Sequence, residues 1–146
     1  MYKEVKSEMV KFPYVTSSEM TVKDTIIYMS ECRVRHLPVM EKNKLVGIVS
    51  ERDLKNYKDM DETVLNEVMT RNPYVADEEE SLLNVVGIMA EKKYGCALVV
   101  NSDDQLIGIF TTIDALKLLK RFLDGDSKFY TSYENVMPLK EVVEWM

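Results

Sequence analysis

The chain has 146 residues, 46% of them hydrophobic and 30% charged, which is enough to bury a core of ordinary domain size. Its net charge of −6 provides no basic field for a phosphate backbone, so we expect no nucleic-acid partner. No segment has the pattern of a signal peptide or the length of a bilayer span, so we expect a cytoplasmic protein with no membrane partner. Cys32 and Cys96 lack metal-ligand spacing, and reduced thiols are favoured over a disulfide.

The first half of the chain predicts the element order strand, helix, strand, strand, helix. A short extended run at residues 14–15 is followed by a helix over residues 21–31. Apolar runs at residues 37–40 and 45–49 have the length of strands, and a second helix is expected from Asp53 onward. This order describes a small unit of mixed α and β structure.

The second half of the chain predicts the same order. Ser81 is a suitable N-cap for a helix whose apolar residues recur three or four positions apart, and Gly95 is expected to end that helix. The remaining elements are an extended run, two strands and a final helix, at residues 73–76, 96–100, 106–110 and 113–122. The polar residues 101–104 predict a turn between the two strands.

The two halves form an internal repeat. The tripeptide Pro-Tyr-Val occurs at residues 13–15 and again at 73–75, and residues 45–53 match residues 106–114. The second copy has one extra residue in the polar stretch between its strands, as expected for a hairpin loop that tolerates insertion. A unit of about 55 residues would have a marginal core alone, so we expect the two units to pack together. We predict a first copy at residues 5–60, a second copy at residues 61–123 and a C-terminal segment at residues 124–146.

Three motifs resemble the CBS domain, which is named for cystathionine β-synthase. They are Val-Met-Thr-x-Asn-Pro at residues 68–73, Leu-Pro-Val at residues 37–39, and the pattern Gly, two apolar residues, Ser or Thr, two residues, Asp at residues 47–53 and 108–114. Two copies in tandem are similar to a CBS pair, or Bateman module. The resemblance implies an α/β (α+β) fold in which two tandem β-α-β-β-α motifs pack as a pseudo-twofold disc. It also implies two clefts that often hold adenine nucleotides, and often a homodimer.

Ser50 with Asp53, and Thr111 with Asp114, lie where a strand leads into a helix. Such a pair can form a capping box, in which the hydroxyl and the acidic side chain each bond the backbone of the other residue. The short arm of Asp suits this role less well than Glu, and the glycine three residues before each hydroxyl leaves room for a ligand. A helix N-terminus attracts anions, and an Asp can accept two hydrogen bonds from a ribose diol. The two interpretations are compatible, and we expect nucleotide contacts here.

The resemblance also implies where an adenine ring would lie. The ring needs an apolar slot, and its amino group needs a backbone carbonyl. In the family these contacts come from the runs that enter each copy and from the strand opposite, which here are Val15, Thr16, Val75, Ala76, Leu37 and Pro38.

The two copies differ in their charged residues. Arg52 follows the helix start of the first copy, where the second copy has Ile113. A guanidinium there suits a phosphate, as the resemblance implies, and an ordinary surface arginine is the alternative. The single histidine, His36, is either a polar residue at a strand edge or a phosphate ligand. Since Arg33 and Arg35 also belong to the first copy, we predict unequal clefts whose phosphate-binding cations come mainly from that copy.

Two further stretches do not indicate a catalytic or metal-binding site. The acidic run at residues 77–80 precedes a helix, where negative charge is favourable with the helix dipole, so a solvated helix start is favoured over a metal site. The C-terminal segment contains four aromatic residues, Phe129, Tyr130, Tyr133 and Trp145. We expect it to dock on the disc or on a second subunit, with recognition of a partner protein as the alternative.

These features predict a regulatory module and not an enzyme, because the repeat takes up nearly the whole chain and supplies no activated nucleophile. The first hypothesis is a sensor of AMP, ADP or ATP that changes its shape or its association on binding and requires no cofactor. The alternatives are a non-binding structural or dimerisation module and a regulatory subunit for a partner protein. S-adenosylmethionine and NAD are alternative ligands, although S-adenosylmethionine offers no phosphate to Arg52.

Overall fold

The computed structural model describes residues 3–125, and the predicted element order recurs in both copies. The first copy contains a 3₁₀ turn (Val5–Ser7), β1 (Val10–Lys11), β2 (Thr16–Ser17), α1 (Val22–Cys32), β3 (His36–Glu41), β4 (Lys44–Ser50) and α2 (Glu51–Leu54). The second copy contains α3 (Leu65–Val68), β5 (Val75–Asp77), α4 (Leu82–Lys92), β6 (Cys96–Val100), β7 (Leu106–Thr111) and α5 (Thr112–Leu123). The expected docking of the C-terminal segment concerns residues 126–146, outside the described part.

Each copy forms one sheet around a hairpin. In the first sheet β3 pairs antiparallel with β4 and parallel with β2, and in the second β6 pairs antiparallel with β7 and parallel with β5. The loop of the first hairpin is Lys42 and Asn43, both at positive φ, which suits the two-residue turns that match strand twist. The second hairpin has the longer loop, so the insertion lies in the turn, as predicted.

Hydroxyl caps fix the starts of the two longer central helices. Thr21 and Ser81 each accept a hydrogen bond of 3.1 Å from the backbone N–H three residues on, so the predicted cap at Ser81 is confirmed. α2 begins two residues before Asp53 and is four residues long, and β2 begins just after the extended run predicted at residues 14–15. No helix within residues 3–125 is both long enough and apolar enough to cross a bilayer.

The predicted end of α4 at Gly95 was wrong. The helix ends at Lys92, and Lys93 takes the left-handed conformation that Arg33 takes after α1. Gly95 lies in the connection to β6, where a side-chain Cβ would be only 2.7 Å from His36 Nε2. The glycine is therefore explained by close packing between the copies and not by helix termination.

The first segment of each copy packs on the sheet of the other copy. β1 pairs antiparallel with β7, with Val10 opposite Ile109. At the equivalent position, Thr70 N–H donates to Ile48 O and Ile48 N–H donates to Thr70 O, both at 2.9 Å. The two copies are thus related by a pseudo-twofold exchange of their first segments.

Side chains of the exchanged segments complete two separate hydrophobic cores. Val5, from the first copy, is fully buried in the core of the second sheet. Leu65, from the second copy, is fully buried in the core of the first sheet. Its buried neighbours in that core are Val22, Met29, Leu37, Val39, Val49, Leu54 and Met69. Each core therefore depends on both copies.

The glycines of β4 and β7 make room for these exchanged segments. A Cβ at Gly47 would lie 2.8 Å from Met69 Sδ and 2.8 Å from Thr70 O, and a Cβ at Gly108 would overlap Met9 Sδ. The expectation that these glycines leave space for a ligand was wrong, because methionines of the exchanged segments fill that space.

Candidate functional site

Two cavities lie where the copies meet, and each is built from both of them. The larger, about 760 Å³, joins the start of α5 to the chain between β1 and β2 and to the chain between α1 and β3. The smaller, about 240 Å³, joins the start of α2 to the equivalent segments of the second copy. Small-molecule sites usually have volumes of roughly 300–1,000 Å³, and of these two cavities the larger falls within that range.

The polar pair at the start of α5 faces the larger cavity and forms a complete capping box. Thr111 Oγ1 accepts a hydrogen bond from Asp114 N–H at 3.3 Å. Asp114 Oδ2 accepts from Thr111 N–H at 2.8 Å and from Thr111 Oγ1 at 2.9 Å. Contrary to expectation, the short Asp arm does reach back. Both return bonds fall on Oδ2, so the box holds the carboxylate in place without using Oδ1.

The matching pair in the smaller cavity is capped on one side. Ser50 Oγ accepts a hydrogen bond of 3.2 Å from Asp53 N–H. Within residues 3–125 the Asp53 carboxylate makes no return bond to the Ser50 backbone, so this pair lacks the second half of the box. The two Asp residues have the same place in the repeat but different partners.

Three cationic side chains line the larger cavity, and all come from the first copy: Lys11, Arg33 and Arg35. Arg33 is the left-handed residue that ends α1, and the Arg35 carbonyl accepts a 2.8 Å hydrogen bond from Glu51 N–H, so both backbones are fixed. Asp114 is the single acidic residue among the described residues of the lining. The cavity therefore combines one carboxylate with a surplus of positive charge.

His36 borders both cavities, at the point where β3 approaches the second copy. Burial lowers the pKa of His36 below its ordinary value of 6.5; Asp53 acts in the opposite direction, and Arg35 lowers the pKa further. The imidazole is therefore neutral at pH 7. It can donate or accept a hydrogen bond there, but the positive charge of the site comes from the lysine and the arginines.

An aromatic pair occupies part of the smaller cavity. The rings of Tyr74 and Tyr94 stack with centroids 5.5 Å apart and planes 26° apart, and both line this cavity. The larger cavity has Val34 at the position equivalent to Tyr94. Burial, with Glu80 and Tyr94 nearby, raises the pKa of Tyr74 to about 12, so its hydroxyl stays protonated. At the Tyr94 position the smaller cavity therefore carries the bulkier side chain.

The remaining predicted site residues line neither cavity. Arg52 is exposed on α2. Thr16, Leu37, Pro38 and Ala76 are buried, and Val15 and Val75 are partly exposed beside them. Their assignment as direct contacts stays a prediction.

Sequence reasoning missed Lys11 and Phe12, which line the larger cavity. Their position depends on the pairing of β1 with β7, which brings the first segment of the chain to the second sheet. A signal was present, because both residues directly precede the repeated Pro-Tyr-Val, and the equivalent Asn72 lines the smaller cavity.

Known proteins share this architecture. Protein MJ0188 of Methanocaldococcus jannaschii is 33% identical over 116 residues, which cover 78% of this chain and 43% of that protein. The CBS domain pair of protein MJ0100, solved with 5′-methylthioadenosine and S-adenosyl-L-methionine, has a TM-score of 0.74 and 26% identity, covering 82% of this chain and 98% of that one. CBSX2, solved in complex with AMP and known from Arabidopsis thaliana, has a TM-score of 0.71 and 27% identity, covering 82% and 97%.

The chain spans less than half the length of the first curated relatives that it matches, so whole-protein activities do not transfer from them. The family assignment itself covers most of the chain. The sequence model of the CBS domain matches residues 3–59 and again residues 65–121, one match for each copy of the repeat. With two sheets, five α-helices and CBS-pair structural neighbours, the chain belongs to the CBS domain family, as a tandem CBS pair.

Proposed function

We propose that this CBS pair is a regulatory sensor of adenine nucleotides and that it binds ATP or ADP in the larger cavity. The observation that carries the proposal is a cavity of about 760 Å³ with one fixed carboxylate, Asp114, and three cations, Lys11, Arg33 and Arg35. A carboxylate suits a ribose diol, and a group of cations suits a chain of phosphates. AMP in CBSX2 and adenosine derivatives in MJ0100 support the choice of an adenosine ligand.

The start of α5 adds to the phosphate site. Its first N–H groups and its dipole favour negative charge, and α5 has 12 residues over which its peptide dipoles align. Asp114 lies in the same first turn, with Oδ1 outside the capping box. In this proposal Asp114 accepts hydrogen bonds from the ribose, and the three cations hold the phosphates.

Regulation follows from where the ligand would bind. Asp114 belongs to the second copy and the arginines to the first, so a bound nucleotide would bridge the two copies. A ligand that prefers one arrangement of the copies shifts the population toward it. We infer that this shift, and not catalysis, is the output of the module.

We expect ATP to stabilise the chain. At 100 times its dissociation constant a ligand adds about 2.7 kcal/mol to the free energy of unfolding, which a thermal-shift assay detects as a higher Tm. The assay is run with ATP, ADP, AMP and S-adenosylmethionine, and calorimetric titration then gives the affinity and the stoichiometry. No shift with any adenine nucleotide would overturn the proposal and favour a non-binding module.

Two matched variants identify the cavity. Asp114→Asn keeps an oxygen for the capping box but removes the charge that accepts from the ribose, so ATP affinity should fall about tenfold or more. Asp53→Asn makes the same chemical change in the smaller cavity and should leave affinity unchanged. Equal losses in the two variants would contradict the assignment to the larger cavity.

A second function, self-association, is favoured by one face of α5. Ile113, Leu116, Leu119 and Leu123 recur three or four residues apart, and each is about half exposed or more. We infer that two chains bury this face in a homodimer, because such an apolar stripe is costly to leave in water.

We expect sedimentation velocity to give the mass of a dimer for the wild type and of a monomer for the Leu116→Glu, Leu119→Glu variant. Circular dichroism checks that the variant remains folded. A wild-type monomer at concentrations of tens of micromolar would contradict self-association. In that case a partner protein would be the expected occupant of this face.

A further inference from the structure

Phe12 has a backbone conformation that its side chain does not favour. Its φ is 51°, in the left-handed region, and a bulky residue there is a genuine outlier. Proline follows at position 13, which restricts the backbone of Phe12 further. Phe12 is nevertheless 85% exposed, so the residue gains almost no burial from this arrangement.

The second copy shows that the fold does not require this conformation. Asn72 precedes Pro73 as Phe12 precedes Pro13, and asparagine tolerates the left-handed region much better than phenylalanine. Asn72 itself does not have a positive φ. Of these two pre-proline residues, the one less suited to positive φ therefore adopts it, and that residue lines the larger cavity.

The surrounding backbone holds Phe12 in place. Just before it, Val10 and Lys11 pair with Ile109 and Gly108 of β7. Phe12 N–H itself donates to Ile107 O at 3.0 Å. A residue kept in an unfavourable conformation by well-paired neighbours is typical of functional positions, where the strain orients a side chain in advance of binding.

We propose that Phe12 stacks on the base of the nucleotide bound in the larger cavity and covers it from solvent. The inference rests on the proposed function, since Phe12 lines the cavity that holds Asp114 and the two arginines. An exposed aromatic ring offers a flat face, and a nucleobase offers a matching flat face whatever its hydrogen-bonding edge. Phe12 is thus a positioning residue for the base, while the cations hold the phosphates.

The variant Phe12→Asn tests the ring without disturbing the backbone, because asparagine accepts positive φ more readily. ATP affinity, measured by calorimetric titration, should fall about 5- to 150-fold, the range for losing one base–aromatic stack. Affinity for inorganic tripolyphosphate, which has no base, should be unchanged. The Tm of the free variant should equal or exceed that of the wild type, since the backbone strain is relieved. Phe12→Tyr keeps the ring and should restore ATP affinity.

A Phe12→Trp variant gives a direct readout of stacking. ATP should quench the fluorescence of the new tryptophan and tripolyphosphate should not, with the wild type supplying the background from Trp145. If the wild type binds ATP and Phe12→Asn binds it equally well, the role of Phe12 is wrong and the proposed function stands. If the wild type binds no adenine nucleotide, both fail together.

Discussion

Replacing Arg33 and Arg35 together with glutamine is expected to lower the affinity for ATP by about 100-fold or more. Both arginines line the larger cavity, and a guanidinium can make a charge-assisted hydrogen bond to phosphate, which is worth about 1.5–3 kcal/mol. Losing two such contacts removes at least about 3 kcal/mol, and each 1.4 kcal/mol is a factor of ten. Glutamine keeps a long polar side chain, so the cavity is not collapsed. Calorimetric titration at fixed ionic strength measures the effect.

A second double variant controls for the change in net charge. Arg52 and Lys58 are both exposed and line neither cavity, and replacing them with glutamine removes the same two charges. Screening by salt limits the effect of exposed charges outside the cavity, so affinity should change by about twofold at most. A loss of affinity as large as that of the Arg33 and Arg35 variant would instead indicate that Arg52 contacts the phosphates, as the family resemblance implies.

The ligand series shows which part of the nucleotide the arginines contact. The loss in the Arg33→Gln, Arg35→Gln variant should be largest for ATP and smaller for AMP, because AMP has fewer phosphate oxygens to lose. Adenosine has no phosphate and no other anionic group, so it should bind both proteins alike. An equal loss for all three ligands would mean that the arginines act on the fold and not on the phosphates.

The repeat made the elements of this fold predictable. Apolar runs of strand length became β3, β4, β6 and β7 to within one or two residues, and Ser81 became the N-cap of α4. These features depend on local pattern and on hydroxyl chemistry at helix starts, which the sequence carries directly. Gly95 was misread because its reason is a contact with His36, across the boundary between the copies.

The site was less predictable because it depends on the exchange of segments. Pairing of β1 with β7 brings Lys11 to a cavity whose Asp114 lies about a hundred residues further along the chain. From the family resemblance, Arg52 is the residue expected to contact a phosphate. The structure instead places Arg33 and Arg35 in the cavity of the other copy's Asp. The sequence was sufficient to infer that the two clefts are unequal. It was not sufficient to infer which residues line the same cleft.

The exchange also predicts an unusually costly substitution outside either cavity. Leu65→Ala is expected to lower the free energy of unfolding by about 2–5 kcal/mol, the range for truncating a buried leucine. Leu65 is 0% exposed in the first core, although it belongs to the second copy by sequence. Its segment is tied to the first copy by Leu65 N–H donating to Met20 O at 2.9 Å, so it cannot easily shift to fill the space. Chemical denaturation measures the effect.

Leu83→Ala is the matched control, because it removes the same atoms from a leucine that is 63% exposed on α4. Its cost should stay within about 0.5 kcal/mol. Leu65 lines neither cavity, so ATP should raise the Tm of the Leu65→Ala variant by an amount similar to that in the wild type. A cost for Leu65→Ala no larger than that for Leu83→Ala would mean that the exchanged segment does not complete the first core. The same result would undermine the assembly of the cavities, since the pseudo-equivalent exchange of β1 brings Lys11 and Phe12 to Asp114.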